Sequence, residues 1–91
     1  RNYDYYYNRG TTRLRVQDIA GSLNDFRRSI QLNPQFAKGY FTLGLQEILG
    51  QDPQQGCDHL RRADQLGHPE AKKALADYCE PPPTPSRGGG F

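Results

Sequence analysis

The sequence repeats itself at a spacing of 34 residues, and this repeat constrains the fold more than any other feature of the chain. Shifting the chain by 34 residues brings identical residues together in one continuous register. The identical pairs are Tyr6 and Tyr40, Gly10 and Gly44, Gln17 and Gln51, Asp18 and Asp52, Arg27-Arg28 and Arg61-Arg62, and Gln31-Leu32 and Gln65-Leu66. A repeat of this length predicts two copies of one structural unit, each burying its apolar face on the next.

Each unit contains two amphipathic helical patterns. The clearest pattern runs from Asp18 to Pro34, where four apolar side chains recur at steps of 4, 3 and 4 residues: Ile19, Leu23, Phe26 and Ile30. This spacing places them on one stripe of an α-helix, because 3.6 residues make one turn. Asp18 is expected to cap the start of the helix, and Asn33-Pro34 to end it.

Four more helices are predicted on the same grounds. The first covers Arg1 to Val16, the third runs from Phe36 to Leu49, and the fourth follows Asp52-Pro53 as far as Leu66. Gly50 is expected to end the third helix in a left-handed conformation, and Gly67 to stop the fourth. A fifth helix is predicted to open at Pro69, with an apolar stripe formed by Ala71, Ala74, Leu75 and Tyr78.

A period near 34 with two helices per unit resembles the tetratricopeptide repeat (TPR). The first unit, residues 3–36, has Tyr6 at the usual Trp position and Gly10 at the small position of the first helix. It also carries Ser22, Phe26, Ser29, Leu32 and Pro34 where the motif has its helix-packing residues and proline. It departs from the motif at Arg9, where Leu is usual, and at Arg13, where Tyr is usual.

The second unit, residues 37–70, resembles the motif at Tyr40, Leu43, Gly44, Gly56, Leu60, Ala63 and Leu66, with its proline one position late at Pro69. Residues 69–79 would form a terminal capping helix. The segment from Ala63 to Leu75 also resembles longer-period relatives of TPR. Either resemblance implies an all-α fold, an α-α superhelix of about five antiparallel helices over residues 1–80. The Pro- and Gly-rich segment 81–91 is expected to be a disordered tail or linker.

Composition argues against several classes of function. Twelve Lys and Arg against ten Asp and Glu give a formal charge of +2, which does not favour binding to nucleic acid or to an anionic membrane. No segment is apolar and long enough to insert into a bilayer. The start at Arg1 rather than Met suggests a fragment or a processed product.

Catalytic and metal-binding patterns are weak. His59 and His68 are the only histidines, and Cys57-x-His59 places its two side chains on different faces of a helix. No second close pair completes a tetrahedral zinc site, and no carboxylate pair has an apolar setting. We therefore expect neither an enzyme nor a bound cofactor or metal.

The two cysteines suggest a disulfide bond. Cys57 lies ten residues before Gly67, and Cys79 lies eleven residues after His68. In an antiparallel hairpin these positions meet at the open end, where a bridge would clamp the fifth helix to the stack. Two packed thiols are the alternative. We favour the bridge, which would indicate an oxidising compartment.

The TPR resemblance also implies a binding site, because the first helix of each TPR unit lines a concave groove. The partner-binding residues expected here are Tyr7, Thr11, Arg15, Lys38, Phe41, Leu45 and Leu49. The Lys and Asn of TPR domains that clamp acidic chaperone tails are missing, since Tyr7 and Phe41 occupy one of those positions and Thr11 and Leu45 the other. The groove therefore favours a protein or peptide segment with apolar anchors, held at its acidic groups by Arg15 and Lys38.

Two alternatives remain for these surfaces. A neighbouring repeat or a second copy of the chain could cover the apolar groove, which would make the chain a structural unit or a homo-oligomer. The paired arginines on the second helix of each unit could form a basic ridge for an acidic partner. We favour instead a solvated face balanced by Asp25, Asp58 and Asp64.

Overall fold

The computed structural model describes residues 1–50 and 52–79. Within these ranges the chain forms five α-helices and no strand: α1 (Asn2–Arg15), α2 (Ile19–Leu32), α3 (Ala37–Leu49), α4 (Pro53–Gln65) and α5 (Ala71–Tyr78). The predicted all-α class and helix number are confirmed for this part of the chain. The predicted tail, 81–91, lies outside the described residues.

The two hairpin units start their second helices in the same way. The carboxylate of Asp18 accepts a hydrogen bond from the Gly21 amide at 3.0 Å, and that of Asp52 accepts one from the Gln55 amide at 3.1 Å. Each bond satisfies an amide that has no partner inside its helix. The predicted cap at Asp18 is therefore confirmed.

The ends of α1 and α4 share a left-handed turn. Gln17 has a φ of 65° and Gly67 a φ of 92°. In each turn two consecutive amides donate to carbonyls of the preceding helix: Gln17 to Leu14, Asp18 to Arg13, Gly67 to Asp64 and His68 to Ala63. This is the hydrogen-bonding pattern of a Schellman motif, for which glycine is the usual residue. The sequence predicts a break at Gln17 but not its left-handed conformation.

Two helix boundaries differ from the prediction. The left-handed conformation expected at Gly50 is wrong, because its φ is −104°. Instead, the amides of Gly50 and Asp52 both donate to the Glu47 carbonyl at 3.2 Å. The fifth helix begins at Ala71 rather than Pro69, since the Glu70 amide donates to Nδ1 of His68 at 3.1 Å and closes a turn first.

The helices pack mainly on their neighbours in the chain: α1 on α2, α2 on α3, α3 on α4, and α4 on α5. The fully buried apolar residues come from α2, α3, α4 and α5 and are Phe26, Leu43, Leu60, Ala63 and Ala71. Phe26 and Leu60 occupy equivalent positions of the 34-residue repeat, so each hairpin buries one large side chain from its second helix. Burying a side chain of this size stabilises a fold by about 1.5 to 3 kcal/mol.

A contact between an arginine and a tyrosine recurs in both hairpins. The Arg28 guanidinium lies 6.0 Å from the centre of the Tyr6 ring, and that of Arg62 lies 5.9 Å from the centre of the Tyr40 ring. These distances are typical of cation–π contacts. Half of the predicted basic ridge therefore packs against the domain's own aromatic side chains.

The two helices of the second hairpin cross at a pair of glycines. A Cβ atom added at Gly56 would lie 2.6 Å from the Gly44 carbonyl oxygen and 2.8 Å from the Ile48 amide nitrogen. A Cβ atom added at Gly44 would lie 2.8 Å from the Gly56 carbonyl oxygen. The backbones are in direct contact here, so no larger residue fits without separating the helices. Gly44 therefore allows α3 to pack closely on α4.

A disulfide bond ties α5 to α4. Cys57, in the second turn of α4, is bonded to Cys79, the residue that follows α5, and their Cα atoms are 5.7 Å apart. Both cysteines are half-buried. The bridge closes the open end of the α4–α5 hairpin, opposite the turn at Gly67.

We expect Gly56→Ala to lower the free energy of unfolding by about 1 to 3 kcal/mol, because overpacking a close backbone contact costs about that much. The alanine gains about 1 kcal/mol of helix propensity, which the clash with the Gly44 carbonyl outweighs. Urea unfolding followed by circular dichroism measures the change.

Gly39→Ala is the matched control. The atoms nearest to its added Cβ would be side-chain atoms of Phe36 and Ile30, at 2.8 and 2.9 Å, and not backbone atoms. We expect a smaller loss than for Gly56→Ala. A Gly56→Ala protein as stable as the parent would show that the helices do not touch at this crossing.

Candidate partner-binding groove

A cavity of about 450 Å³ lies between α3 and α5. Phe41 and Leu45 line it from α3, and Ala74 and Tyr78 line it from α5. Phe41 and Leu45 are only partly buried, and Tyr78 is 54 % exposed. The structure thus brings together two of the predicted binding residues and adds two from α5. We call the surface formed by these four residues the α3–α5 groove.

The floor of the α3–α5 groove is fixed by the core beneath it. Phe41 and Leu45 pack against a buried cluster made of Leu60, Ala74 and Leu75. On its other side the Phe41 ring stacks on the imidazole of His68, with ring centres 4.0 Å apart and planes inclined by 8°. Phe41 is therefore held between the core and the α4–α5 turn. This role of His68 was not predicted from the sequence.

Tyr78 does not take the place predicted for it. The sequence placed it on the inward stripe of the fifth helix with Ala71, Ala74 and Leu75, but the structure buries only those three. The prediction is wrong for Tyr78 because α5 is the last described helix and no helix packs on its far side within residues 1–50 and 52–79. Its ring lines the groove instead.

The rim of the groove carries charged side chains from α5 and the turn before it. Lys73 and Asp77 form an ion pair at 3.0 Å, and Glu70 and Pro69 complete the rim. Both members of the ion pair are well exposed, so the pair contributes little to stability. An apolar floor with a polar rim is typical of surfaces that bind protein segments.

Tyr7 and Lys38, two further predicted binding residues, meet at a separate place, where α1 contacts α3. The Tyr7 hydroxyl is 3.0 Å from Oγ1 of Thr42, and its ring packs near those of Phe26 and Phe36. The Lys38 ammonium lies 5.3 Å from the centre of the Tyr7 ring. Tyr7 thus helps to join the first hairpin to the second.

Thr11, Arg15 and Leu49, the remaining predicted residues, do not line the α3–α5 groove. The Thr11 hydroxyl donates to the Asn8 carbonyl at 2.7 Å, and Arg15 is exposed with an amine 3.5 Å from Oγ1 of Thr12. Leu49 is 70 % exposed at the end of α3. The structure therefore divides the predicted binding set into a groove pair, a joint between α1 and α3, and isolated surface residues.

The two departures from the TPR motif in the first unit have a common partner. Arg9 donates two hydrogen bonds to the carboxylate of Asp25, at 2.9 and 3.0 Å, and Arg13 lies 3.3 Å from the same carboxylate. The side chain of Asp25 is only 3 % exposed. The hydrogen bonds that Arg9 donates to the Asp25 carboxylate raise the pKa of its guanidinium above the ordinary value, so this arginine stays charged. Asp25 thus joins α1 to α2.

The second hairpin has a polar pair at the equivalent positions, with the acidic residue on the other helix. Glu47 corresponds to Arg13, and His59 corresponds to Asp25, each 34 residues further on. Nδ1 of His59 lies 2.6 Å from Oε1 of Glu47, whose side chain is 1 % exposed. Both hairpins therefore hold their helices together through one buried acidic side chain.

The other oxygen of Glu47 has no hydrogen-bond partner among the described residues. The nearest cation is Arg27, with a guanidinium nitrogen 3.9 Å away. Above this carboxylate, a second cavity of about 470 Å³ lies between α2 and α3, and it is lined by Ile19, Ala20, Leu23, Arg27, Gln46, Glu47, Gly50 and Asp52. Arg27 thus gives the carboxylate a counter-charge but not a hydrogen bond.

The part of the chain that the structure describes has neither a metal-binding cluster nor a membrane-spanning helix. Among residues 1–50 and 52–79, no group of three or more His, Cys, Asp or Glu side chains is placed to hold a metal ion. No helix in those ranges has the length and apolar character needed to cross a membrane.

Comparison of the chain with protein-family models, with curated proteins and with solved structures finds no match.

We expect Asp25→Ala to lower the free energy of unfolding by about 1 to 3 kcal/mol, because the substitution removes a buried acceptor of several hydrogen bonds. The double variant Arg9→Ala/Arg13→Ala is expected to be less stable still. It leaves the Asp25 carboxylate buried without a counter-charge, whereas Arg9 and Arg13 can reach water when Asp25 is removed. Urea unfolding of the three proteins gives the order.

Asp58→Ala is the control for this series, since it removes an exposed ion pair with Arg61 and is expected to change stability by less than about 1 kcal/mol. If the arginine double variant were as stable as the parent, the buried carboxylate would not depend on its two counter-charges.

Proposed function

We propose that this chain is a TPR-like protein-interaction module that docks a partner segment in the α3–α5 groove. Phe41, Leu45, Ala74 and Tyr78 receive an apolar side chain of the partner, and the rim formed by Glu70, Lys73 and Asp77 contacts its polar groups. The observation that carries this proposal is the cavity of about 450 Å³ that opens between partly buried Phe41 and 54 % exposed Tyr78.

The size and lining of the groove support a bound segment. Pockets that hold a ligand or an anchoring side chain commonly have volumes of about 300 to 1,000 Å³ and mostly apolar walls. Exposed tyrosine beside a preformed apolar pocket is a common source of binding energy at protein interfaces. The stack of Phe41 on His68 keeps the floor in place before a partner arrives.

The TPR part of the proposal is supported by contacts that recur at the period of the sequence repeat. Three kinds of contact recur 34 residues apart. They are the helix caps at Asp18 and Asp52, the contacts of Tyr6 with Arg28 and of Tyr40 with Arg62, and the polar pairs Arg13–Asp25 and Glu47–His59. A unit of two helices that repeats its internal contacts at this period is what a TPR-like stack requires. The α3–α5 groove is then the inner surface between successive first helices.

A structural or self-association unit is the alternative. Val16 and Leu49 are each 70 % exposed and Ile19 is 47 % exposed. Val16 and Ile19 flank the turn between α1 and α2, and Leu49 ends α3. Apolar residues exposed at one end of the hairpins would favour contact with a second copy of the chain.

Binding to the groove predicts a strong effect of Tyr78→Ala. A library of displayed peptides is panned on the purified protein, and the affinity of a selected peptide is measured by calorimetry. We expect Tyr78→Ala to weaken binding by about tenfold or more, because truncating an anchoring tyrosine commonly costs this much. Phe41→Glu/Leu45→Glu is expected to abolish binding, since it puts two charges on the apolar floor.

Tyr5→Ala is the matched control, because Tyr5 is 55 % exposed, like Tyr78, but lies on α1 outside the groove. Peptides that bind the Tyr78→Ala and Tyr5→Ala proteins equally well would contradict the groove. Sedimentation tests the alternative: a dimer that the Val16→Glu/Leu49→Glu protein fails to form would support self-association.

A further inference from the structure

We propose that the Cys57–Cys79 disulfide is a redox switch that controls whether the α3–α5 groove exists. In the oxidised chain the bridge holds α5 against α3 and α4, and reduction releases α5 while α1 to α4 stay folded. The inference gives a regulation of the proposed binding site, and only its binding arm rests on the proposed function.

By itself, α5 is a weak helix. It has only eight residues, and isolated helices shorter than about 12 residues are marginal in water. Its start at Glu70 has no side-chain cap, unlike the starts of α2 and α4. Its buried face consists of two alanines and one leucine: Ala71, Ala74 and Leu75. Its length and capping therefore give α5 little stability of its own.

The disulfide holds the end of α5 that lies away from the α4–α5 turn. The α4–α5 turn already holds the start of α5, through the left-handed Gly67 and the stack of His68 on Phe41. Cys79 holds the other end of α5 to the second turn of α4. Without the bridge, α5 has no covalent hold at its far end and can detach by pivoting at Gly67.

Helix α5 forms one side of the α3–α5 groove. It supplies half of the apolar lining of the groove, through Ala74 and Tyr78, and most of its charged rim. Its Ala74 and Leu75 form a buried cluster with Leu60, and Phe41, Leu45 and Ile48 pack against this cluster. Loss of α5 would therefore replace a groove of defined shape by an open apolar face on α3 and α4.

The chemistry of the switch is thiol–disulfide exchange with a dithiol reductant. The Cys57–Cys79 bond breaks and two cysteine thiols form. The reductant supplies two electrons and two protons and closes to its own disulfide. Both cysteines are half-buried rather than enclosed in the core, so a small dithiol has access to the bond.

Hydrogen exchange measured by mass spectrometry tests the release of α5 without any partner. The oxidised protein is compared with the protein in dithiothreitol and with Cys57→Ser/Cys79→Ser. We expect exchange of the amides of residues 71–79 to rise about a hundredfold, as expected for loss of a bridge across 22 residues, while α1 to α4 keep their protection. Dithiothreitol should leave the serine variant unchanged.

Two results would overturn the switch. Equal exchange of residues 71–79 in the oxidised and reduced proteins would mean that packing alone holds α5. Loss of protection in every helix would mean that the bridge holds the whole domain and not α5.

The binding arm uses a peptide selected on the oxidised protein. We expect its affinity to fall more than tenfold on reduction, because half of the groove lining leaves. Unchanged affinity in the reduced protein with α5 released would contradict control of the groove. Failure to select any peptide would count against the proposed function alone, because the exchange experiment reports on α5 independently.

Discussion

The contact between the backbones of α3 and α4 at Gly44 and Gly56 is the constraint on which the second hairpin depends. The carbonyl of each glycine lies where a Cβ atom of the other would be, so the helices approach as closely as their main chains allow. This approach brings Leu60 fully into the core, against which Phe41 and Leu45 pack. The floor of the α3–α5 groove is therefore set by two residues that do not touch the groove, and the shape of the proposed binding surface follows from hairpin packing.

Each hairpin also contains one buried acidic side chain between its helices. The acid lies on the second helix of the first hairpin and on the first helix of the second hairpin. In the first hairpin the acid is Asp25 on α2, and in the second it is Glu47 on α3. A buried carboxylate is costly unless it is paired, so these positions favour a correct partner helix over an incorrect one. The repeat thus keeps a contact between a buried carboxylate and a side chain of the other helix at equivalent positions, Arg13–Asp25 and Glu47–His59, although the residues differ.

The sequence was informative where structure depends on neighbours in the chain. Helix number, the Asp18 cap and the stop at Gly67 follow from local spacing and turn chemistry, and all agree with the structure. Features that depend on distant contacts could not be predicted in the same way. The partner of Arg9 and Arg13 lies on another helix, and the exposure of Tyr78 depends on what packs beside α5. Phe41 and Leu45 were expected in the groove because their repeat position fixes which face of α3 they occupy.

The position of Phe41 is the central claim, because the groove exists only if this ring faces α5 and the α4–α5 turn. Nuclear Overhauser spectroscopy on the oxidised, isotopically labelled protein tests it most directly. The account predicts strong cross-peaks between the ring protons of Phe41 and the imidazole protons of His68, whose ring centres lie 4.0 Å apart. Absence of these cross-peaks, with the Phe41 ring in contact with Phe26 instead, would place Phe41 between the hairpins and contradict the account.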